Sequence, residues 1–283
     1  MNIKSILLKK RVVIFFIILI IALILVFAFD VRLKTVTYNV KSSEINGEIK
    51  LTIVTDLHSC YYGKNQSKLL CEIEKYQPDA VLLGGDIFDD VSDDTNAEIF
   101  IDALAEKYKT YYVSGNHEWW SNRMQNIFNH LSDKGVVVLR GSTDVLEIGE
   151  DIITVSGIDD PEVNTYESTY LNWGKQLERA GESIEQNYLN ILLTHRPEYV
   201  KQYFEYDFDV VMAGHAHGGQ FRIPFILNGF YAPNQGFFPK LAGGMYDSDG
   251  KKLIVSRGLA RESTRLPRIF NRPELVFVNL IPE

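Results

Sequence analysis

The sequence contains only two cysteines in 283 residues, Cys60 and Cys71, and they form no CxxC pattern. This small number excludes a zinc knuckle and a framework of several disulfides. A single disulfide between the two residues and two separate thiols are both compatible with the sequence. Internal repeats and low-complexity stretches are also absent beyond the N-terminal region.

Basic residues are scarce in most of the chain. There are 29 Lys and Arg against 37 Asp and Glu, and residues 1–29 hold four of the basic groups and no acid. Residues 30–283 therefore carry 25 basic against 37 acidic groups, a net charge of −12. An acidic domain does not hold an anionic polymer by charge alone, so we expect no long nucleic acid as a partner. If the substrate is an anion, groups other than Lys and Arg must meet it.

Charged residues are missing altogether from residues 12–29, VVIFFIILIIALILVFAF. A helix of this length spans roughly 27 Å at about 1.5 Å per residue, which is enough for the core of a bilayer. The basic residues before the run favour a cytoplasmic N-terminus, although Arg32, Lys34 and Lys41 make the charge difference modest. The sequence therefore predicts a single-pass protein of the cell membrane, with residues 1–29 as N-terminus and anchor. Residues 30–283 would form one domain on the extracytoplasmic side.

A cleaved signal peptide is the alternative interpretation of residues 12–29. Its apolar core would be about 7–15 residues long and would be followed by small residues at a cleavage site. This run is longer and ends in Phe27, Ala28, Phe29 and Asp30, which favours an uncleaved anchor.

Five short apolar runs each end at side chains that bind metals. Helix-like stretches at residues 66–76 and 95–109 separate the first three runs. Strands alternating with helices pair in parallel, and ligands bind at the carboxyl ends of such strands. We therefore expect these polar residues to converge. Residues 51–55 precede Asp56 and His58, residues 80–83 precede Asp86, residues 111–113 precede Asn116 and His117, residues 191–194 precede His195, and residues 210–212 precede His215 and His217.

The middle of the chain has a different pattern. Residues 136–140, 144–148 and 152–156 are strand-like and separated by turn residues, which predicts a meander in a second sheet. Residues 252–256 and 275–280 predict further strands, and the polar stretch 164–187 predicts a helix.

Five of the six histidines follow apolar runs, and His130, in a helix-like stretch, is predicted to be an ordinary surface residue. One HxH pair alone could be a polar turn. Imidazoles combined with Asp56, Asp86 and Asn116 suit Mn, Fe or Zn better than Ca or Mg alone. The set is larger than one tetrahedral site needs. Two ions about 3.5–4 Å apart that share a carboxylate would use it, and such pairs recur in enzymes that cleave phosphate esters.

These residues resemble the five-block signature of the calcineurin-like metallophosphoesterases, in that family's order and with every position filled. The late Arg272-Pro273-Glu274 and the Gly218-Gly219-Gln220 extension resemble its bacterial branch with N-terminal membrane or export segments. The blocks are Asp56-x-His58, Gly85-Asp86, Gly115-Asn116-His117-Glu118, His195 and Gly214-His215-Ala216-His217.

The resemblance implies an α/β fold, a two-sheet sandwich flanked by helices (the metallophosphatase fold), here preceded by the transmembrane helix. It implies a binuclear metallophosphoesterase with two divalent ions, Mn, Fe or Zn. Asp86 would bridge the ions, and His117 would be the catalytic residue over the substrate. The remaining metal ligands would be Asp56, His58 and His217 for one ion and Asn116, His195 and His215 for the other.

The implied reaction is attack on phosphorus by a hydroxide that the two ions activate, with His117 donating a proton to the leaving oxygen or steadying the phosphate charge. Glu118 either holds His117 by a hydrogen bond or is exposed to solvent. Gly218 and Gly219 would clear space for the substrate. The expected substrate is a phosphoester, with a lipid-linked phosphate or pyrophosphate at the membrane surface as the first hypothesis.

A nucleotide phosphodiesterase or nuclease is the second hypothesis, and a non-catalytic metal-binding module is the third. The segment FRIPFILNGFYAPNQGFFP, residues 221–239, bears on this choice because its prolines and glycines predict a long loop that starts at the metal site. Its aromatic side chains either fill the core or form an apolar rim for acyl or prenyl chains. The sequence leaves the leaving group and the oligomeric state open.

Overall fold

A long helix, α1 (Ile3–Ala28), precedes the rest of the protein in the computed structural model, which describes residues 3–167, 171–261 and 267–283. Within it, Lys9–Ala28 is long and apolar enough to cross a membrane, with a mean hydropathy of 3.2. The last residue of the helix is fastened to the domain, because Ala28 is buried and its carbonyl accepts a hydrogen bond from Phe270 N at 2.7 Å.

The described strands and helices occur in alternation along most of the chain. The strands are β1 (Lys34–Ser42), β2 (Ile49–Val54), β3 (Ala80–Gly84), β4 (Lys109–Val113), β5 (Val137–Val138), β6 (Ser142–Ile148), β7 (Asp151–Gly157), β8 (Leu189–Leu193), β9 (Val210–Ala213), β10 (Tyr231–Ala232), β11 (Gly236–Phe237), β12 (Gly244–Ser248), β13 (Lys251–Val255) and β14 (Glu274–Pro282). The further helices are α2 (Ser67–Tyr76), α3 (Thr95–Ala105), α4 (Asn116–Trp120), α5 (Met124–Asp133), α6 (Val163–Tyr166), α7 (Trp173–Glu182) and α8 (Val200–Tyr203).

Two six-stranded sheets form the centre of the fold. The first has the order β1-β14-β2-β3-β4-β5, and its strands β2 to β5 are parallel. The second has the order β12-β13-β9-β8-β7-β6, and its strands β13, β9, β8 and β7 are parallel. Antiparallel strands β6 and β12 close its two edges.

The sheets pack face to face, and helices cover their outer faces. Between the sheets, Leu51 and Ile53 of β2 share a buried apolar cluster with Ile191 of β8 and Met212 of β9. A second cluster joins the first sheet to α2, α3 and α5, and a third joins the second sheet to α7 and α8. This arrangement confirms the predicted two-sheet sandwich flanked by helices. Cys60 is buried, Cys71 is exposed, and no disulfide joins them.

Two sequence predictions need correction. Residues 136–140 do not begin a meander in the second sheet, because β5 pairs in parallel with β4 in the first sheet. What remains of the predicted meander is one hairpin, β6–β7. The helix predicted over residues 95–109 ends at Ala105, since Lys109 already begins β4. The helix predicted within 164–187 is confirmed by α7, α6 reaches into the same stretch, and residues 168–170 lie outside the described residues.

Candidate metal centre

The candidate metal centre lies where the carboxyl ends of both sets of parallel strands meet. Strands β2, β3 and β4 of the first sheet lead into Asp56 and His58, into Asp86, and into Asn116 at the start of α4. Strands β8 and β9 of the second sheet lead into His195 and into the pair His215 and His217. The predicted convergence at strand ends is therefore present, and it involves strands of two facing sheets.

Glycines beside the cluster allow its loops to approach closely. A Cβ on Gly115 would lie 2.2 Å from Asp86 Oδ1, and one on Gly214 would lie 2.6 Å from Asp56 Oδ2, so any side chain there would displace a carboxylate. Gly218 and Gly219 have a different role from the one expected. A Cβ on Gly218 would collide with the side chain of Asn271, and a Cβ on Gly219 would collide with the backbone of Gly229. These glycines therefore allow close packing and do not open space for a substrate.

Two groups of ligand atoms meet at Asp86. Its Oδ2 lies 3.2 Å from His195 Nε2 and 3.6 Å from His58 Nε2. Ligand atoms of Asp56, His58, Asp86 and His217 all lie within 4.8 Å of one another, and those of Asp86, His195 and His215 do the same. The structure thus brings together six of the seven residues expected to bind two ions, with Asp86 common to both groups, and the seventh, Asn116, lines the same cavity as Asp86.

The buried polar atoms at this point fit divalent cations. Six of them have no hydrogen-bond partner among the described residues, although an unpaired buried polar atom usually costs about 1–3 kcal/mol. Oxygen and imidazole donors in this mixture match Mn, Fe and Zn. A pair of cations would satisfy the atoms together. They are Asp56 Oδ2, His58 Nε2, Asp86 Oδ2, Asn116 Oδ1, His195 Nε2 and His217 Nδ1.

The histidines are oriented by their second ring nitrogen. His195 Nδ1 donates to the Gly84 carbonyl at 2.8 Å, which leaves Nε2 facing Asp86. His215 Nε2 pairs with Asn234 Oδ1 at 2.9 Å, and its ring contacts that of His195. The ring of His217 lies instead 5.2 Å from that of His58. Because His215 and His217 both have positive φ, 66° and 46°, the backbone turns between them and the two imidazoles enter different groups.

The carboxylates attract positive charge to the site. Burial opposes protonation of His195, but the negative charge of the nearby Asp86 carboxylate outweighs it and raises the pKa of His195 to about 10. Burial and the neighbouring His195 charge lower the pKa of His215 to about 3. A neutral His215 is the form that binds a metal ion.

His117 lies beside the cluster and is held by two acids. Its Nδ1 donates to Asp90 Oδ1 at 2.7 Å and lies 3.4 Å from Asp89 Oδ1, while its ring centroid is 4.9 Å from that of Trp120. Burial lowers the pKa of His117, but the Asp89 hydrogen bond, the Asp86 charge and the Asp90 hydrogen bond together raise it to about 9. Neither acid was predicted as a site residue, although Asp89 and Asp90 stand only three and four positions after Asp86 in the sequence.

Glu118 has neither of the roles considered from the sequence. It is fully buried, and its carboxylate accepts hydrogen bonds from the backbone N–H groups of Asp86, Ile87, Phe88 and Gly115 at 2.7–3.2 Å. Glu118 therefore fastens the loop after β3 to the start of α4, and it holds the backbone on which Asp86 and His117 are placed.

A cavity of 310 Å³ opens over the cluster. Arg196, the residue after His195, lies in its wall, with the guanidinium bound by Asp160 at 2.6 and 2.9 Å. Arg196 is thus a basic residue at the cavity that the net charge of the domain did not reveal. His130 lies elsewhere on α5, where it pairs with Asp102 at 2.9 Å, as expected for a residue outside the site. The cavity is lined by Asp86, Asn116, His117, Trp120, Glu162, Arg196, His215, His217, Pro233 and Asn234.

The sequence profile of the calcineurin-like phosphoesterases matches residues 49–219, more than half of the chain and the part that contains both groups of ligand atoms. The protein belongs to the calcineurin-like phosphoesterase family. An uncharacterised metallophosphoesterase of Campylobacter jejuni is 29% identical over 255 residues, which cover 86% of this chain and 62% of the relative. A bovine transmembrane protein with a metallophosphoesterase domain is 26% identical over 199 residues, which cover 65% of this chain and 44% of the relative.

The chain thus spans about half to two thirds of the length of these two relatives. The NAD nucleotidase of Haemophilus influenzae has a similar fold, with a TM-score of 0.50 over 76% of this chain and 51% of that one, at 15% identity. This likeness concerns the fold alone, since one fold supports many substrates. Family membership implies a hydrolase with two divalent ions.

Proposed function

We propose that this protein hydrolyses a phosphate ester with a pair of divalent ions, and that the substrate is a lipid-linked phosphate or pyrophosphate at a membrane surface. The observation that carries the chemical part is Asp86 Oδ2, which lies between the Nε2 atoms of His195 and His58 without a hydrogen-bond partner of its own. One carboxylate oxygen common to two sets of donors is what a bridging ligand requires.

The seven proposed ligands divide into two sets around Asp86. Ions bound there would supply positive charge for phosphate oxygens and lower the pKa of water, which an acidic domain cannot do with its own side chains. One set is Asp56, His58 and His217, and the other is Asn116, His195 and His215.

His117 is proposed to protonate the leaving oxygen. Asp90 accepts the proton on Nδ1, so Nε2 is the nitrogen left to act on a substrate. The wall of the cavity supports this position, because His117, Trp120 and Arg196 all line it. A charged His117 and the Arg196 guanidinium would both stabilise negative charge on the phosphoryl group.

The lipid part of the proposal is supported by helix α1 and by the loop after Gln220. Lys9–Ala28 has the length and composition of a membrane span, and a relative is named as a transmembrane protein. We propose that α1 anchors the protein in the cell membrane with the domain on the extracytoplasmic side, which is the side favoured by the basic residues before the helix. The loop begins two residues after the glycines that follow His217 and exposes aromatic side chains.

The proposal is tested with the full chain reconstituted in lipid nanodiscs and loaded with Mn, Fe or Zn. Phosphate release is measured on lipid phosphates and pyrophosphates in the disc, on nucleotides, and on a general phosphodiester. We expect activity that a chelator removes and that is greatest on the lipid substrates. A preference for nucleotides would favour a nucleotide phosphodiesterase, and metal-loaded protein inactive on the whole panel would favour a non-catalytic binding module.

A further inference from the structure

The loop between the metal centre and β12 contains a hairpin whose tip is apolar and fully exposed. Ile223 and Leu227 pair across it, and Ile226 N donates to Ile223 O at 3.0 Å, which closes a four-residue turn. Phe225 is wholly exposed and Ile226 is 83% exposed. The expectation that the aromatic residues of this loop fill the core is therefore wrong at the tip.

The conformation of Phe225 makes this exposure more unusual. The residue stands after Pro224 with φ of 67°, the third position of a turn in which glycine or asparagine is favoured. A bulky residue at positive φ strains the backbone, and here no contact with the described residues offsets the strain. The side chain is thus costly in the folded domain by itself, which indicates a partner outside it.

The hairpin is directly connected to the end of α1. Phe270 N donates to the carbonyl of Ala28, and the neighbouring Ile269 forms a parallel bridge with Phe221. Phe225 follows Phe221 by four residues, so their Cα atoms are at most about 14 Å apart. The tip therefore lies within about 30 Å of the end of the helix.

The segment of sequence that contains the hairpin differs in charge from the domain as a whole. Residues 210–246 contain no Asp or Glu, although residues 30–283 have a net charge of −12. Their basic residues are Arg222 and Lys240, and Lys240 is exposed beside the exposed Phe237 and Phe238. Exposed aromatic rings next to basic residues and without acids suit the headgroup region of a bilayer.

We infer that the tip of this hairpin, Phe225 and Ile226, inserts into the same bilayer that holds α1 and forms a second membrane contact. The contact rests on the anchoring proposed above but not on the proposed chemistry. The base of the loop is part of the site, because Asn234 pairs with His215 and Phe230 N donates to Gly219 O at 2.9 Å. Two contacts with the bilayer would restrict rotation of the domain about its anchor and hold the mouth of the cavity near the lipid headgroups.

The test uses the full chain in nanodiscs, with the exposed Cys71 replaced by Ser and an environment-sensitive fluorophore attached to Ile226→Cys. Lipids with a nitroxide near the headgroup end of the acyl chain should quench this probe at least about twofold. The matched control is Val145→Cys, a half-exposed apolar position on β6 at the opposite edge of the second sheet. The lipid nitroxide should not quench the probe at position 145. The parent chain with Cys71→Ser, which keeps only the buried Cys60, should show no quenching either.

A second variant separates a membrane role from a structural one. Phe225→Gly relieves the positive φ, so Tm should not fall, while quenching of the Ile226 probe should decrease at least about twofold. Equal quenching at positions 226 and 145 in protein that co-purifies with the discs would overturn the inference and leave the anchor intact. Probe shielding without lipid quenching would indicate contact with another copy and would also overturn it. Failure to enter the discs would refute the anchor and the hairpin contact together, whatever the enzyme activity.

Discussion

The metal centre and the hairpin at residues 223–227 are separated by only a few residues of chain. Both depart from the usual distribution of side chains, because the metal centre buries polar groups and the hairpin exposes apolar ones. In the metal centre, carboxylates, an amide and imidazoles are buried with ligand atoms unpaired. In the hairpin, Phe225 and Ile226 are exposed to solvent, and none of the residues that the structure describes covers them. Buried polar atoms and exposed large apolar groups are each unfavourable in a folded domain. On the two proposals made above, both regions are completed from outside the chain, by ions in one and by a lipid surface in the other.

The largest effect is expected from Asp86→Asn, which tests whether the buried region depends on shared ions. Loss of the carboxylate charge should weaken both ions and lower kcat by at least about 10³-fold, because bound metals contribute several kcal/mol and about 1.4 kcal/mol is tenfold in rate. Metal content by elemental analysis and kcat on a general phosphodiester are measured together. Asp207→Asn, at a side chain 91% exposed, is the control. A normal rate in Asp86→Asn, or in chelator-stripped protein, contradicts the two-metal proposal.

His117→Asn tests whether this residue acts on substrate and not on metal. The variant should keep its metal content, while kcat falls by about 10²–10⁴, the usual loss for a general acid. The reason is that His117 Nδ1 is engaged by Asp90 and lies outside the two groups that meet at Asp86, although His117 forms a third group of possible ligands with His58 and Asp89. Loss of metal from His117→Asn would show instead that His117 is a ligand.

The positions of the candidate metal ligands could be predicted from the sequence, whereas the residues that hold those ligands in place could not. A buried strand ends just before each of Asp56, Asp86 and His195. Such a strand end can be predicted from neighbouring residues of the sequence alone. Glu118 stands in a recognised block, but its four backbone partners come from two loops that only the tertiary fold brings together. The sheet to which β5 belongs was likewise missed, since a short strand-like run does not reveal which of two sheets it joins.

Glu118→Ala should destabilise the fold and not only the chemistry. Four backbone N–H groups would lose their acceptor inside the protein, and a loss of about 3 kcal/mol in the free energy of unfolding is expected. For a domain of this size that corresponds to roughly 6–12 °C in Tm. The control is Glu150→Ala at an exposed turn, where the change should stay within about 0.5 kcal/mol. Equal Tm values for the two variants would refute the fastening role.

Asp90→Asn probes the proton on His117 through pH dependence. The pKa of His117 is about 9, above the ordinary value of 6.5. The charged imidazole therefore stabilises the fold fully below about pH 6.5, and this contribution disappears as pH rises through about 9. A general acid must be protonated to act, so kcat should fall above about pH 9, where His117 loses its proton. Removing the Asp90 charge should move that fall to lower pH by up to about one unit, with little change at pH 7. A pH–rate profile with an unmoved alkaline limb would show that His117 is not the acid.

The smallest effect is expected at the hairpin. Phe230 of the same loop packs against neighbouring rings, whereas Phe225 and Ile226 do not, so the variant of choice is Phe225→Ser with Ile226→Ser. Partial withdrawal of two apolar side chains from a bilayer should lower kcat/KM for a membrane-embedded phosphoester by about tenfold, less than their full burial would give. Hydrolysis of a soluble phosphodiester should be unchanged, as should both rates in Val145→Ser. Equal losses on both substrates would place the hairpin in the support of the metal centre, and the two regions would then form one structural unit. The rings around Phe230 are those of Phe221, Phe237 and Phe238, at 5.3–6.0 Å.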